Sequence, residues 1–426
     1  MTEVIEQTEN KKGYKKTKLG WVPEDWEECC LKDITTIFGR IGFRGYTKED
    51  IVQKDEGAIS LSPTNIKNER ICYDDNTYIS NFKYEESPEI KIYDDDIIFV
   101  KTGSSYGKSA IIKNLPQKAT INPQLIVFKD IKINRNILFN ILNTNSFNRF
   151  LQKIVVAGAI PTLSQEQIYK YPITLPTKKE QAKIAEILSA WDDGIETLEK
   201  LIEQKEIFHK ALMKNLLIGK IRLSGYNSKW SHSNFNSIFE RITRKNKELN
   251  SNILTISAQN GLISQKDFYN KRIASVDTSK YILLKNGEFA YNKSYSNGYP
   301  LGAIKRLDLY EKGVVSSLYI CFKLNNSDNC SDFWKYYFEA GMLNREIKMI
   351  AQEGARNHGL LNMATEDFFN MLLFYPKDLK EQQKIAEILN KSDKEIQILN
   401  SKLEKLKKQK KGLMQKLLTG QIRVKV

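Results

Sequence analysis

Glu180-Gln181-Ala182-Lys183-Ile184-Ala185-Glu186-Ile187-Leu188 returns 201 residues later as Glu381-Gln382-Gln383-Lys384-Ile385-Ala386-Glu387-Ile388-Leu389. The correspondence runs without a gap to Leu216-Leu217-x-Gly219-x-Ile221-Arg222 and Leu417-Leu418-x-Gly420-x-Ile422-Arg423, with 20 of 43 positions identical. A repeat of this length is a statement about architecture. Apolar residues in the first copy alternate steps of four and three through Ile184, Leu188, Trp191, Ile195, Leu198, Ile202, Leu212 and Leu216, with Lys205 and His209 as the polar exceptions. The second copy runs through Ile385, Leu389, Ile396, Leu399, Leu403, Leu406, Leu413 and Leu417, with Ser392 and Lys410 as exceptions. A 3.5-residue repeat held this long predicts a left-handed coiled coil.

The ends of both copies carry stop and start signals. Thr177-Lys178-Lys179-Glu180 reads as a capping box, and Asp378 is its counterpart cap. Pro176 and Pro376 precede the two starts. Gly219 and Gly420 stand where a left-handed residue closes a helix. The natural partner of each helix is the other. Antiparallel pairing would place the segments before each helix at opposite ends of a rod.

Those segments, 19–176 and 223–377, read as mixed α+β modules. Strand-like runs include Ile97–Val100, Ala110–Ile112, Leu125–Phe128, Ile253–Ile256 and Ser317–Phe322, with helical stretches near 136–154 and 331–350. A weak pattern is shared: Trp26, Leu31 and Ile34 match Trp230, Phe235 and Ile238. Phe99–Ile111 resembles Tyr291–Ile304, a strand, a loop rich in Gly, Ser, Tyr and Lys, then a strand. Such loops offer amide, hydroxyl and ammonium donors suited to phosphates and base edges, and equally make ordinary hairpins.

Composition narrows the function. Net charge is +15, of which +8 lies on 380–426, chiefly in Lys405-Leu406-Lys407-Lys408-Gln409-Lys410-Lys411. That balance suits a polyanionic partner or a solvated helix face. No run of about 18 apolar residues spans a membrane. Met1 to Lys18 is polar and reads as a loose tail, and the five cysteines lack a disulfide framework, so a reducing cytosol is expected. Gly103–Ser109 mimics a phosphate-binding loop, but Thr102 stands where a glycine is required and a strand follows. No zinc spacing, dinucleotide fingerprint or nucleophile elbow is present, and Asp94-Asp95-Asp96 reads as a solvated turn before a strand. No catalytic residue and no metal site is expected.

Two divergent modules alternating with two near-identical helices resemble the specificity (S) subunits of type I restriction-modification systems along nearly the whole chain. The carrying residues are Gly20-Trp21-Val22-Pro23-Glu24-Asp25-Trp26, the two Glu-Gln-x-Lys-Ile-Ala-Glu-Ile-Leu segments, Gly158-Ala159-x-Pro161-x-Leu163-Ser164, Gly354-Ala355-Arg356-Asn357-His358-Gly359, and the Leu-Leu-x-Gly helix ends. The resemblance implies an α+β fold with two globular target-recognition domains separated by two long helices forming an antiparallel coiled coil. It divides the chain into a flexible tail (1–18), a first target-recognition domain (19–176), a central long helix (177–222), a second target-recognition domain (223–377) and a C-terminal long helix (378–426).

It further implies a cytoplasmic, non-catalytic subunit that reads a bipartite, gapped sequence in double-stranded DNA. It would dock two modification (M) subunits, joined by restriction (R) subunits. S-adenosylmethionine, ATP and magnesium would belong to those partners. A rigid spacer makes half-site separation part of what is read.

Loop chemistry and the resemblance together nominate as DNA contacts Arg40, Arg44, Lys101, Ser104, Ser105, Tyr106, Lys108, Thr162 and Ser164. In the second module they nominate Arg241, Arg244, Tyr291, Lys293, Tyr295, Asn297, Tyr299, Arg356, Asn357 and His358. Helix pairing is assigned to Ile184, Leu188, Ile195, Leu198, Leu212, Leu216, Ile385, Leu389, Ile396, Leu399, Leu413 and Leu417. The alternatives are a coiled-coil adaptor with two protein-binding modules, or the reader of a related restriction system.

Overall fold

The computed structural model describes residues 12–155, 161–257, 260–269, 277–295, 298–353 and 361–426. Each copy of the repeat is one uninterrupted helix of 40 residues: α1, Lys178–Leu217, and α2, Leu379–Leu418. At about 1.5 Å per residue each is roughly 60 Å long. Thr177 and Glu180 form the expected capping box, with Glu180 N–H donating to Thr177 Oγ1 (3.4 Å) and Thr177 N–H to Glu180 Oε2 (3.3 Å). Asp378 Oδ1 accepts from Lys380 N–H (2.8 Å) at the start of α2. Gly219 and Gly420 take φ of 70° and 71°. Ile221 N–H then donates to the Asn215 carbonyl and Ile422 N–H to that of Lys416, both at 3.2 Å. At Gly420 a β-carbon would also stand 2.3 Å from Pro23 Cδ, so close approach as well as φ requires glycine there.

The chain forms two compact units, 1–198 with 402–426, and 199–401. The first holds the start of α1 and the end of α2, the second the reverse. In the first unit Ile184, Ala185 and Leu188 share a core with Met414, Leu417 and Leu418. In the second, Leu216 and Leu217 share one with Ile385, Ala386 and Leu389. Low numbers on one helix meet high numbers on the other within each unit, so the helices pack against each other antiparallel. Of the pairing residues, Ile184, Leu188, Ile195, Leu198, Leu216, Ile385, Leu389 and Leu417 are buried, while Leu212, Ile396, Leu399 and Leu413 are half-buried.

The first module is built on a four-stranded antiparallel sheet in the order Ser109–Ile111, Ile97–Val100, Leu125–Lys129, Thr36–Gly39. Its middle strands, Ile97–Val100 and Leu125–Phe128, are buried on both faces, which explains their continuous apolar reading. Ile97 and Phe99 face the helices Arg135–Leu142 and Asn145–Ile154 and the long helices. Ile98 and Val100 face a second sheet, made of Ala119–Ile121, Ala58–Leu61, Thr77–Ile79 and Ile51–Val52. The second module repeats the first sheet in the same order: Ala303–Arg306, Phe289–Asn292, Ile320–Leu324, Phe239–Arg241. The shared loop pattern therefore marks equivalent hairpins. Each module also zips its beginning to its end, Glu27–Cys30 with Pro172–Leu175 and Ser231–Asn234 with Leu372–Tyr375.

One expectation needs correcting. Part of the presumed loose tail is structured: Tyr14–Thr17 is a strand paired with Gly20–Pro23. Polar side chains do not prevent this, because Tyr14 donates its hydroxyl to the Gly420 carbonyl (2.8 Å) and Lys15 Nζ donates to the Trp26 carbonyl (2.5 Å). Residues 1–11 lie outside the described residues.

A carboxylate closes each module onto its helices. Glu180, 1% exposed, accepts from Trp26 Nε1 (3.0 Å), the Thr177 hydroxyl (3.1 Å) and Arg423 Nε (2.8 Å). Glu381, also 1% exposed, accepts from Trp230 Nε1 (3.2 Å) and from Arg222 through Nε (3.0 Å) and Nη2 (3.2 Å). Burial raises the Glu180 pKa, but the donors from Arg423, Trp26 and Thr177 outweigh it and hold the carboxyl below its ordinary value. A carboxyl depressed on folding stabilises the native state above its unfolded pKa, about 4.3, and loses that contribution as pH falls through the folded value. Glu180→Gln should therefore cost roughly 1–3 kcal/mol near pH 7. In urea unfolding, the difference from the parent should shrink below pH ~4. An undiminished difference at pH 3 would contradict the clamp.

Candidate nucleic-acid interface

Two loops distant in sequence meet beyond the end of the central strand Ile97–Val100 of the first module. Residues 101–108 follow Ile97–Val100, and residues 161–164 lead into the helix Gln165–Tyr169. Leu163 N–H donates to the Lys101 carbonyl (2.9 Å), Gly103 N–H to the Pro161 carbonyl (3.0 Å), and Thr102 bridges Thr162. Gly103 and Gly107 hold φ of 100° and 89°, which turns the loop back so that Val100 N–H donates to the Lys108 carbonyl (2.8 Å). Thus Lys101, Ser104, Ser105, Tyr106, Lys108, Thr162 and Ser164 stand on two loops held together by backbone bonds.

Of these, Ser104, Lys108 and Thr162 are exposed and Ser105 is half-buried. Tyr106 leans on the core beneath. Lys101 is half-buried, and desolvation lowers its pKa. Ser164 also caps a helix, its Oγ accepting from Gln167 N–H (3.1 Å). The loop ends in a strand, so the phosphate-loop likeness has no helix to serve.

The second module repeats the pinning contact. Leu361 N–H donates to the Lys293 carbonyl (3.0 Å), the counterpart of Leu163 on Lys101. Lys293 is half-buried and Tyr295 is 62% exposed. Arg241 is exposed at the end of its strand. Asn297, Arg356, Asn357 and His358 lie outside the described residues, as do Gly158 and Ala159 of the first module's closing motif.

Several nominated side chains are occupied inside the modules. Arg40 is buried, with Nε donating to the Ile121 carbonyl, Nη2 to Thr120 Oγ1 (both 3.1 Å) and Nη1 to the Arg44 carbonyl (3.2 Å). It ties the two sheets together, and burial lowers its pKa. Tyr291 is fully buried, stacked on Phe368 at 5.2 Å, with its hydroxyl donating to the Leu301 carbonyl (2.8 Å). Loop chemistry misplaces both: Arg40 lies just beyond a strand that turns into the core, and Tyr291 is inside a strand.

Three more are paired. Arg244 donates to Glu288 (2.6 Å) and to the Leu283 carbonyl (3.2 Å), and Arg44 pairs with Glu89 (3.4 Å). Tyr299 donates to Glu339, which also pairs with Lys305, and desolvation with this carboxylate raises the Tyr299 pKa. The acidic run divides in the same way. Asp96 pairs with Lys129, Asp95 with Arg135 (3.5 Å), and Asp94 accepts from Leu115 N–H (3.0 Å). No group of three potential metal-binding side chains occurs among the described residues, and none of the helices searched is long and apolar enough to cross a membrane.

Sequence reasoning treated Lys205, His209 and Lys410 as faults in the seam. Each faces an acid: Lys205 pairs with Glu395 (2.7 Å) and Lys410 with Asp192 (2.6 Å), and His209 Nε2 lies 3.1 Å from an Asp393 carboxylate oxygen. For His209 and Lys410 the signal was available in the repeat, since Asp192 and Asp393 stand at matching positions in the two copies; Lys205 and Glu395 correspond to Leu406 and Gly194 and gave no such signal.

Comparison with known proteins agrees with this geometry. Residues 23–207 match the family described as type I restriction modification DNA specificity domain. The chain is 24% identical to the putative type I restriction enzyme MjaX specificity subunit of Methanocaldococcus jannaschii, over 99% of each chain. It is 28% identical to the MjaVIII specificity subunit of the same organism, over 51% of each. The chain thus spans about half the length of the MjaVIII subunit it matches. In fold it is similar to a chain from a structural study of complex assembly and conformational transition of the type I R-M system, with TM-score 0.55 and 13% identity over 94% of this chain and 99% of that one.

Proposed function

We propose that the chain is a specificity subunit of a type I restriction-modification system and the DNA reader of such a complex, a reading supported by the family match over residues 23–207 and by the full-length similarity to the MjaX specificity subunit. Each module reads one half of a bipartite target in double-stranded DNA. The observation that carries this reading is a duplication: in both modules a Gly-, Ser-, Tyr- and Lys-rich loop is pinned by the same backbone bond to the segment that closes the module. Because the two loops differ in sequence, they read different bases and the target is not palindromic.

The paired helices act as the spacer and as the docking surface for two M subunits, with R subunits added for cleavage. The chain itself is non-catalytic and works in the cytoplasm. S-adenosylmethionine, ATP and magnesium serve the partner subunits.

Single-molecule sequencing of host DNA tests this directly, with the gene present or deleted in cells expressing the M subunit. A gapped, bipartite adenine-methylation motif should vanish on deletion. If no motif changes, the reader assignment fails.

The loops make separable contributions. Tyr295→Ala should relax base choice in the half-site read by the second module, costing about 1–3 kcal/mol of discrimination. Lys108→Ala should weaken all sequences alike and flatten the salt dependence by about one phosphate contact. Binding titrations of the complex against matched and mismatched DNA over a salt series check both. Unchanged affinity and choice in Tyr295→Ala would remove that residue from the interface.

A further inference from the structure

A seam of leucines fixes poorly where along its length it pairs. Apolar packing is non-directional, and seven residues on, leucine again meets leucine. Here three basic side chains break that pattern, Lys205, His209 and Lys410, and the last two stand at equivalent positions of the repeat. Lys410 is 8% exposed and pairs with Asp192 at 2.6 Å in the first unit. His209 is 9% exposed and pairs with Asp393 at 3.1 Å in the second. These are one interaction present twice: adding 201 converts Asp192 into Asp393 and His209 into Lys410.

We propose that these two pairs are the register pins of the long helices, selecting one alignment among those the leucines allow. A slip of one heptad in either direction removes the acid from its base. It sets Asp192 beside Leu403 or Leu417, and Asp393 beside Ile202 or Leu216. In one direction Lys410 and His209 then face Ala185 and Ala386. In the other they face Glu199 and Asn400, so His209 again loses its acid. In the first direction the nearly buried Lys410 ammonium is left without an acid, and in both directions His209 loses its hydrogen-bonding acid; stranding such a group costs more than displacing a leucine, so the polar pairs discriminate where the apolar seam does not.

The surrounding structure reinforces the second pin. Asp393 also accepts from the Tyr336 hydroxyl (2.7 Å), and that oxygen is in turn bonded to Asn390 (2.8 Å). The helix Ser331–Glu339 of the module is thereby tied to the same aspartate. The register itself stands on helix packing alone. Its bearing on DNA spacing rests on the reader assignment.

Disulfide trapping in the full chain tests the pins without DNA. Ile195 and Leu406 line one depression beside the seam, so Ile195→Cys with Leu406→Cys reports the native register, and Ile195→Cys with Leu413→Cys reports a one-heptad slip. Mild oxidation followed by peptide mapping reads which sulfurs have joined. With the pins intact, only the native pair should form. Replacing Asp192, His209, Asp393 and Lys410 together by leucine should let the slipped pair form as well, at a tenth of the native yield or more. The exchanged variant Asp192→Lys/Lys410→Asp/Asp393→Lys/His209→Asp restores a pair at each pin and should return trapping to the native pair alone. Native-only trapping in the all-leucine variant, or slipped trapping in the exchanged one, would overturn the proposal. Because no DNA is present, neither result depends on the reader assignment.

Discussion

The fold turns on a carboxylate buried at the first turn of each long helix. Glu180 and Glu381 are each almost inaccessible, and each gathers an indole from the start of a module and a guanidinium from just beyond the end of the other helix. Three segments far apart in sequence are held by one group. Such a charge is tolerable only when its partners are present, so the contact is conditional on the antiparallel pairing and on the closed module at once. Everything above it follows: the small sheets that zip each module shut, the long helices entering the module cores, and the seating of the loops beyond the central sheets.

On that base the modules divide labour between a rigid interior and polar loops. The middle strands of the central sheets, Ile97–Val100, Leu125–Phe128 and Phe289–Tyr291, are buried on both faces, and charged groups such as Glu240, Arg241 and Arg306 fall on the edge strands. The polar groups concentrate in loops that are pinned by backbone hydrogen bonds and by glycines at positive φ. Pinning by main chain leaves side chains free to differ between the modules without altering the scaffold. This explains how two loops of unlike sequence stand on the same strand order.

The architecture was legible in the sequence because its signals are local and periodic. The heptad pattern, caps and closing glycines of the long helices depend on residues within one turn of each other, and the repeat supplied an internal check. The paired hairpins were legible more faintly, through the spacing of Phe99–Ile111 and Tyr291–Ile304. The placement of individual side chains was not. Arg40 has the composition of a loop cation, yet its guanidinium is consumed by Ile121 and Thr120, eighty residues away in the chain. Tyr291 has the look of a stacking residue, yet the strand turns it inward. Pairing partners at such separations are set by tertiary packing, which a local pattern does not encode. The strand at Tyr14–Thr17 was missed for the same reason, since its stabilising contacts lie at Trp26 and Gly420.

The spacer role is the claim on which the functional account rests, and helix length is its direct variable. One heptad duplicated after Leu198 and another after Leu399 preserves the seam and lengthens both helices by about 10 Å, or roughly three base pairs of DNA. The measurement is the adenine-methylation motif of cells carrying this chain with its M subunit. The account predicts the same two half-sites with a gap about three base pairs wider. The same half-sites with an unchanged gap would contradict it.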